Sequence, residues 1–120
     1  MSDLLRVLLV EDNPGDADLI VELLQEEGSS SFEVENVSRL AEALEHVGKD
    51  RFDIILLDLG LPDSDGLATL RSLQRKAPEL PIVVLTGNND ERVALAAIQE
   101  NAQDYLIKGQ IDKHHLSRAI

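Results

Sequence analysis

Residues 53–62 read DIILLDLGLP, in which four apolar residues in succession lead into an aspartate and then into glycine and proline. An apolar run without alternation is typical of a parallel strand whose two faces are both covered by other elements. The glycine and the proline are turn residues, so we expect the strand to end near Asp58. The segment therefore predicts a buried strand that presents a carboxylate at its carboxyl end.

Further apolar runs of the same character occupy residues 7–10, 82–85 and 105–107. Residues 32–37 alternate between apolar and polar side chains instead, and the charges among them predict a strand at the edge of a sheet. The segments between these runs carry apolar residues at positions i, i+3, i+4 and i+7, as in residues 17–24, which predicts amphipathic helices.

Strands and helices that alternate along the chain predict an α/β fold built from five βα units. Right-handed crossovers between parallel strands place helices on both faces of one open sheet, which gives three layers. A chain of 120 residues has the usual size of one domain, so we expect residues 1–120 to form a single domain. Ligands of such sheets bind at the carboxyl ends of the strands, where the strand order reverses.

Capping and turn residues delimit the predicted helices. We expect Pro14 in the first turn of the first helix, Gly28 at its end, Ser38 as the N-cap of the second, Pro78 after the third and Asn101 in a left-handed conformation after the fourth. The fourth helix is expected over residues 89–98 and a last one from about Asp112. The shortness of that last helix favours a chain cut from a longer protein over one that stands alone.

Acidic residues outnumber basic residues by 23 to 11 and give the chain a formal net charge of -12. Because such a surface repels the phosphate backbone of DNA and RNA, we expect no direct binding to nucleic acid. The chain contains no cysteine, which excludes disulfides and thiolate metal sites and suits a cytoplasmic location. No apolar stretch has the length of a membrane span, so no membrane association is expected.

A reactive polar residue follows each continuously apolar strand. Glu11 and Asp12 follow the first, Asp58 the third, Thr86 the fourth and Lys108 the last. The carboxyl ends of parallel strands share one edge of the sheet, so we expect these side chains to meet. Three carboxylates, a hydroxyl and an ammonium, without histidine or cysteine, form a hard-oxygen site that suits Mg²⁺ rather than zinc or copper.

These residue types fit phosphoryl transfer to Asp58. Its carboxylate can act both as a metal ligand and as an oxygen nucleophile toward phosphorus, which would give an aspartyl phosphate. The metal and Lys108 would neutralise the transferring phosphoryl group, and the Thr86 hydroxyl would donate a hydrogen bond to it. No histidine, cysteine or spare carboxylate offers a strong base for water, so the acyl phosphate should persist as a signal.

Four segments in this order resemble the response-regulator receiver domain of two-component signalling, and the resemblance covers essentially the whole chain. They are LVEDN at 9–13, DIILLDLGLP at 53–62, VVLTG at 83–87 and DYLIKG at 104–109. The resemblance implies a doubly wound, flavodoxin-like parallel sheet of five strands in the order 2-1-3-4-5. It also implies that Mg²⁺ is held by Glu11, Asp12, Asp58 and the carbonyl of Gly60.

The same resemblance implies that a histidine kinase or a phosphotransfer protein phosphorylates Asp58. The domain would catalyse only its own phosphorylation and a slow dephosphorylation. Phosphorylation would draw in Thr86, shift Tyr105 and change the face formed by the fourth helix, the last strand and the last helix. That face would bind a second copy, an effector or an attached output domain. Gly109 stands where the family usually has proline.

Alternative interpretations remain at this stage. The chain resembles an active receiver, but a degenerate receiver that acts as a phosphorylation-independent interaction module is the main alternative. A phosphatase of the haloacid-dehalogenase type needs a second aspartate where Gly60 stands, and a phosphate-binding loop needs a lysine that residues 11–15 lack. Thr86 as a simple strand end and Tyr105 as a simple core residue also remain open. The alternation of side chains along a strand places Tyr105 and Lys108 on opposite faces of the sheet.

Overall fold

The fold consists of one main sheet with helices on both sides, in a computed structural model that describes residues 5–25, 32–87 and 91–108. At Ser64, Asp65 and Glu91 it describes the backbone alone. In chain order the main elements are β1 (Leu5–Val10), α1 (Pro14–Gln25), β2 (Phe32–Val37), α2 (Leu40–Lys49), β3 (Ile54–Asp58), α3 (Leu67–Lys76), β4 (Ile82–Thr86), α4 (Glu91–Gln99) and β5 (Asp104–Ile107).

Two further strands of two residues each, Gly60–Leu61 and Ser64–Asp65, pair antiparallel between β3 and α3. We call this segment the 60–65 hairpin; the sequence pattern does not predict it. The positions predicted for Gly28, Gly109 and the last helix lie outside the described residues. Within the described ranges, no helix has the length and apolar character needed to cross a membrane.

The main sheet is parallel throughout, and its strand order is β2-β1-β3-β4-β5, as predicted. The edge position predicted for residues 32–37 is confirmed, because β2 pairs only with β1 among the described strands. The order reverses at β1, which lies between β2 and β3. In the register, Val10 lies opposite Leu57 and Asp58 lies opposite Leu85, so the carboxyl ends of the central strands are level.

Each face of the sheet is covered by its own apolar core. The core on the α1 side includes Val7, Leu9, Leu56, Val83, Leu106, Ala17, Ile20 and Leu24. The core on the other side, under α2, α3 and α4, includes Leu8, Val10, Ile55, Leu57, Val84, Ala43, Leu70, Leu73 and Ala97. All five residues of β3 are buried. Helices on both faces explain why the central strands are apolar without alternation.

Local signals set two of the helix ends as the sequence predicts. Pro14 is the first residue of α1, a position where its missing N–H costs no hydrogen bond. The preceding residue, Asn13, accepts a hydrogen bond from the Asp16 N–H at its Oδ1 (3.1 Å) and so caps the helix. Asn101, after α4, has the predicted left-handed conformation with φ of 74°.

The cap of α2 differs from the prediction. Ser38 is not the N-cap: the residue before the helix is Arg39, and its side chain makes no cap bond. The Ser38 N–H and hydroxyl instead donate to Oε1 of Glu42 (3.2 and 3.4 Å). The prediction is wrong because a better acceptor reaches the helix end from elsewhere in the chain.

That acceptor is Asp63 of the 60–65 hairpin. Its Oδ1 accepts a hydrogen bond from the Leu40 N–H (2.8 Å), and its Oδ2 accepts one from the Ala41 N–H (3.0 Å). A carboxylate at this position also interacts favourably with the helix dipole. The segment that directly follows Asp58 is therefore fixed to the start of α2.

The Asp63 cap can be tested by thermal unfolding. We expect Asp63→Ala to lower the melting temperature by a few degrees at neutral pH, because two N–H groups lose their acceptor. Glu79→Ala is the matched control, since the exposed Glu79 has no hydrogen bond or ion pair among the described residues. Equal melting temperatures for these two variants would contradict a stabilising cap.

The pH dependence of this difference follows from the pKa of Asp63. Hydrogen bonds from the Ala41 and Leu40 N–H groups hold that pKa below its usual value. The cap therefore stabilises the fold above the usual carboxyl range, near pH 4, and this stabilisation is lost as the pH falls through the lowered pKa. We expect the gap in melting temperature between parent and Asp63→Ala, followed by circular dichroism, to narrow below about pH 4.

Candidate functional site at the carboxyl edge of the sheet

Three carboxylates meet where β1 and β3 end. Glu11 and Asp12 follow β1, Asp58 is the last residue of β3, and their carboxylate oxygens lie within 4.8 Å of one another. The Glu11 and Asp58 residues are 1% and 8% exposed, whereas Asp12 is exposed to solvent. The group predicted from the sequence is thus brought together, with oxygen donors of the kind that a hard divalent cation prefers.

Lys108 places its ammonium beside this carboxylate cluster. Its Nζ lies 2.7 Å from Oε1 of Glu11, 3.1 Å from Oδ2 of Asp58 and 3.2 Å from Oδ2 of Asp16. The contacts with Asp16 and Asp58 are hydrogen bonds, whereas Glu11 Oε1 lies close to the ammonium without a hydrogen bond among the described residues. The structure therefore places the Lys108 ammonium beside Asp58. It adds a contact with Asp16, a residue that the sequence pattern did not indicate.

Burial and charge together shift the pKa values in the cluster. Burial raises the pKa of Glu11 to about 7, with a further rise from Asp58 and an opposing effect from Lys108. Burial would lower the pKa of Lys108, but its contacts with Glu11 and Asp58 outweigh burial and raise it above the usual value. The ammonium stays charged, and a further cation near neutral pH would compete with a proton for Glu11.

The Asp58 carboxylate is fixed through both of its oxygens. Its Oδ1 accepts a hydrogen bond from the Gly60 N–H (3.0 Å), and its Oδ2 accepts one from Lys108. A Cβ atom at Gly60 would lie 3.9 Å from Oδ1, so a side chain there would begin to cover the carboxylate. Glycine leaves this side of Asp58 open. A ligand role for the Gly60 carbonyl stays a prediction.

Thr86 and Tyr105 lie on neighbouring strands and on the same face of the sheet. Thr86 ends β4 and is 3% exposed, and its Oγ1 has no hydrogen-bond partner among the described residues. Val84, two residues before Thr86 on the same strand, faces the core under α2, α3 and α4, so Thr86 points to that face as well. Tyr105 lies opposite Val84 on β5 and packs against the same core. Lys108 contacts α1 instead, so Tyr105 and Lys108 do lie on opposite faces, as the alternation predicts.

Asn13 and Asp16 are the residues of this site that the sequence analysis missed. The Asn13 N–H donates to Oε2 of Glu11 (3.2 Å), and the Asn13 side chain caps α1 next to Asp16. Asparagine before Pro14 is a recognisable signal for a helix start, so the cap could have been predicted. The contact between Asp16 and Lys108 joins residues 92 positions apart, and no local pattern indicates it.

The sequence of this chain is similar to those of known signalling proteins. The family model for the response regulator receiver domain matches residues 7–120. The transcriptional regulatory protein CreB of Escherichia coli is 39% identical over 102 residues, which are 85% of this chain and 43% of that protein. The KDP operon transcriptional regulatory protein KdpE of the same organism is 36% identical over 103 residues, 86% of this chain and 44% of that protein.

Solved structures agree with the fold. A response regulator receiver domain protein from Clostridium thermocellum superposes with a TM-score of 0.82 at 27% identity, over 96% of this chain and 90% of that one. The chain spans less than half the length of the two curated relatives named above. The similarity to those relatives therefore concerns one part of each protein.

The carboxylate cluster can be tested with Mg²⁺. If it binds the ion only when folded, a Mg²⁺ concentration tenfold above the dissociation constant should stabilise the parent by about 1.4 kcal/mol, seen as a rise in melting temperature. Asp12→Asn should weaken this rise strongly, and Asp18→Asn, which changes an exposed aspartate on α1, should preserve it. Without Mg²⁺, Asp12→Asn should melt no lower than the parent, because one repelling charge is gone. Equal responses of the two variants would contradict a metal site at this cluster.

Proposed function

Because the chain belongs to the response regulator receiver domain family, we propose that it accepts a phosphoryl group on Asp58 and changes state when it does. The observation that carries the proposal is the contact of 3.1 Å between Lys108 Nζ and Asp58 Oδ2 beside the carboxylates of Glu11 and Asp12. The family is a signalling domain and not an enzyme family of the usual kind. We propose a histidine kinase or a phosphotransfer protein as the donor.

The oxygen ligands for Mg²⁺ would come from Glu11, Asp12, Asp58 and the Gly60 carbonyl. The three side chains fit the ion, because their oxygens are close together and no nitrogen or sulfur ligand is among them. When bound, Mg²⁺ would neutralise negative charge on the transferring phosphoryl group. Glu11 and Asp58 are the buried members of the set and Asp12 is the exposed one, so Asp12 lies on the solvent side of the cluster.

In the transfer itself, an Asp58 oxygen forms a bond to phosphorus while the bond from phosphorus to the donor atom breaks. The donor group leaves with the electron pair of that bond. Lys108 supports the step by holding positive charge 3.1 Å from Asp58 Oδ2. The Thr86 hydroxyl, which lacks a partner among the described residues, would donate to a phosphoryl oxygen. No histidine lies among the residues described for this site, and Asp16, the carboxylate there that is outside the metal cluster, is paired with Lys108.

The switch would couple Thr86 to Tyr105 through the face of the sheet that they share. Movement of the Thr86 hydroxyl toward the phosphoryl group would vacate space that the Tyr105 ring can fill. The surface of α4, β5 and the following residues would then change its affinity for a second copy, an effector or an attached output domain. Coupling of about 1 to 3 kcal/mol would change that affinity by about 5- to 150-fold. We propose that the domain acts in the cytoplasm and does not bind nucleic acid itself.

Phosphorylation of Asp58 can be tested with acetyl phosphate and Mg²⁺. We expect one phosphoryl group per chain by intact-protein mass spectrometry, removable with hydroxylamine as an acyl phosphate must be. Asp58→Asn should abolish the incorporation, and Lys108→Ala should slow it by about 100-fold because the positive charge is lost. Asp53→Asn changes an aspartate at the other end of β3 and serves as the control.

Labelling of Asp58→Asn at the parental rate would place the chemistry elsewhere and overturn the assignment. If the folded parent takes up no phosphoryl group from acetyl phosphate or from any kinase tested, a phosphorylation-independent interaction module is the better description.

The switch can be followed at Tyr105, the single tyrosine of the chain. Beryllofluoride, which mimics a bound phosphoryl group, should shift the ring resonances of Tyr105 in nuclear magnetic resonance spectra recorded with Mg²⁺. Thr86→Ala should weaken this shift because the hydroxyl that responds to the phosphoryl group is gone. If the ring resonances stay in place while amides of α4 move, Tyr105 is only a core residue and the switch uses another route.

A further inference from the structure

Among the three carboxylates that contact Lys108, Asp16 has a distinct place. Glu11 and Asp58 belong to the cluster whose oxygens could hold a metal ion, whereas Asp16 does not. A cation bound to Glu11 and Asp58 would draw on the same two carboxylates that now face the Lys108 ammonium. Of the contacts described for Lys108, the one with Asp16 is the contact that such a cation would leave intact.

The position of Asp16 is defined by the start of α1. Its N–H donates to Oδ1 of Asn13, and Asn13 in turn donates its own N–H to Oε2 of Glu11. The next residue, Ala17, is buried in the core on the α1 side of the sheet. The backbone of Asp16 is therefore held on both sides, and its carboxylate reaches the ammonium across 3.2 Å.

We propose that Asp16 is a positioning residue that holds the Lys108 ammonium at the edge of the site when a divalent cation binds Glu11 and Asp58. The inference rests on the proposed function, because it assumes that those carboxylates bind Mg²⁺. Without Asp16, the ammonium and the cation would depend on the same two carboxylates for countercharge. With Asp16, Lys108 keeps a partner of its own and stays within reach of a phosphoryl group on Asp58.

The proposal predicts a specific loss of Mg²⁺ affinity. Asp16→Asn keeps the size of the side chain and removes its charge, so Lys108 would compete more strongly for Glu11 and Asp58. We expect the dissociation constant for Mg²⁺ to rise about three- to fivefold, the range of a partly exposed ion pair. Asp16→Glu keeps the charge, so the dissociation constant of this variant for Mg²⁺ should stay near that of the parent.

Mg²⁺ titrations followed by amide shifts in nuclear magnetic resonance spectra measure these constants and show that each variant is folded. Asp18→Asn is the matched control: it removes the same charge from α1, but Asp18 has no ion pair among the described residues. It should change the constant by less than about 1.5-fold. In a protein that already carries Lys108→Ala, adding Asp16→Asn should change the dissociation constant for Mg²⁺ by less than about 1.5-fold, because the ammonium that Asp16 positions is absent.

Two results would overturn the inference while the proposed function stands. One is an equal loss of affinity for Asp16→Asn with and without Lys108, and the other is an equal loss for Asp16→Asn and Asp18→Asn. Either would show that Asp16 acts only through its charge at a distance. A folded parent that does not bind Mg²⁺ would instead overturn the metal site itself, and the inference with it.

Discussion

The contact between the Lys108 ammonium and three carboxylates is the interaction on which the carboxyl edge of the sheet depends. Glu11, Asp16 and Asp58 come from the end of β1, from α1 and from β3, so one cation joins three parts of the fold. Two carboxylates about 4 Å apart repel by about 4 kcal/mol at an effective dielectric constant of about 20. The single ammonium of Lys108 faces the carboxylates of Glu11, Asp16 and Asp58 with Asp12 beside them, so acidic groups outnumber it and a divalent cation can supply the missing positive charge.

This charge arrangement depends in turn on the apolar packing of the sheet. Val10 lies opposite Leu57, so Glu11, the residue after Val10, is level with Asp58. A shift of either strand by one residue would exchange the side chains that face the two cores. Because both faces of β3 are buried, such a shift would place side chains of the wrong shape in each closely packed core. The cores therefore fix the strand register, and the register brings the carboxylates together.

Polar contacts on the side of α2, α3 and α4 hold these helices in place around the site. Asp63 caps α2 from the 60–65 hairpin, and Arg71 of α3 forms a two-bond ion pair with Glu100 at the end of α4 (2.6 and 2.7 Å). Gln74 donates a further hydrogen bond to the Glu100 carbonyl (2.6 Å). Thr86 differs from these residues, because its buried hydroxyl has no partner among the described residues. A hydrogen bond from the Thr86 hydroxyl to a new acceptor would therefore break none that is described here.

The sequence by itself determined the strands and the polar residues at their ends, because short apolar runs such as that in 53–62 report burial on two faces and a turn afterwards. The expected order of the strands followed from the resemblance to receiver domains and not from these runs. The tertiary structure alone decided which distant groups complete those elements. Ser38 is a good local cap, yet Asp63 holds the start of α2; Asp16 looks like an ordinary first-turn acid, yet it contacts Lys108. Local patterns encode periodicity and hydrogen bonds over a few residues. Contacts between residues far apart in the chain depend on the strand register and on the packing of helices against the sheet, and only the folded chain specifies these.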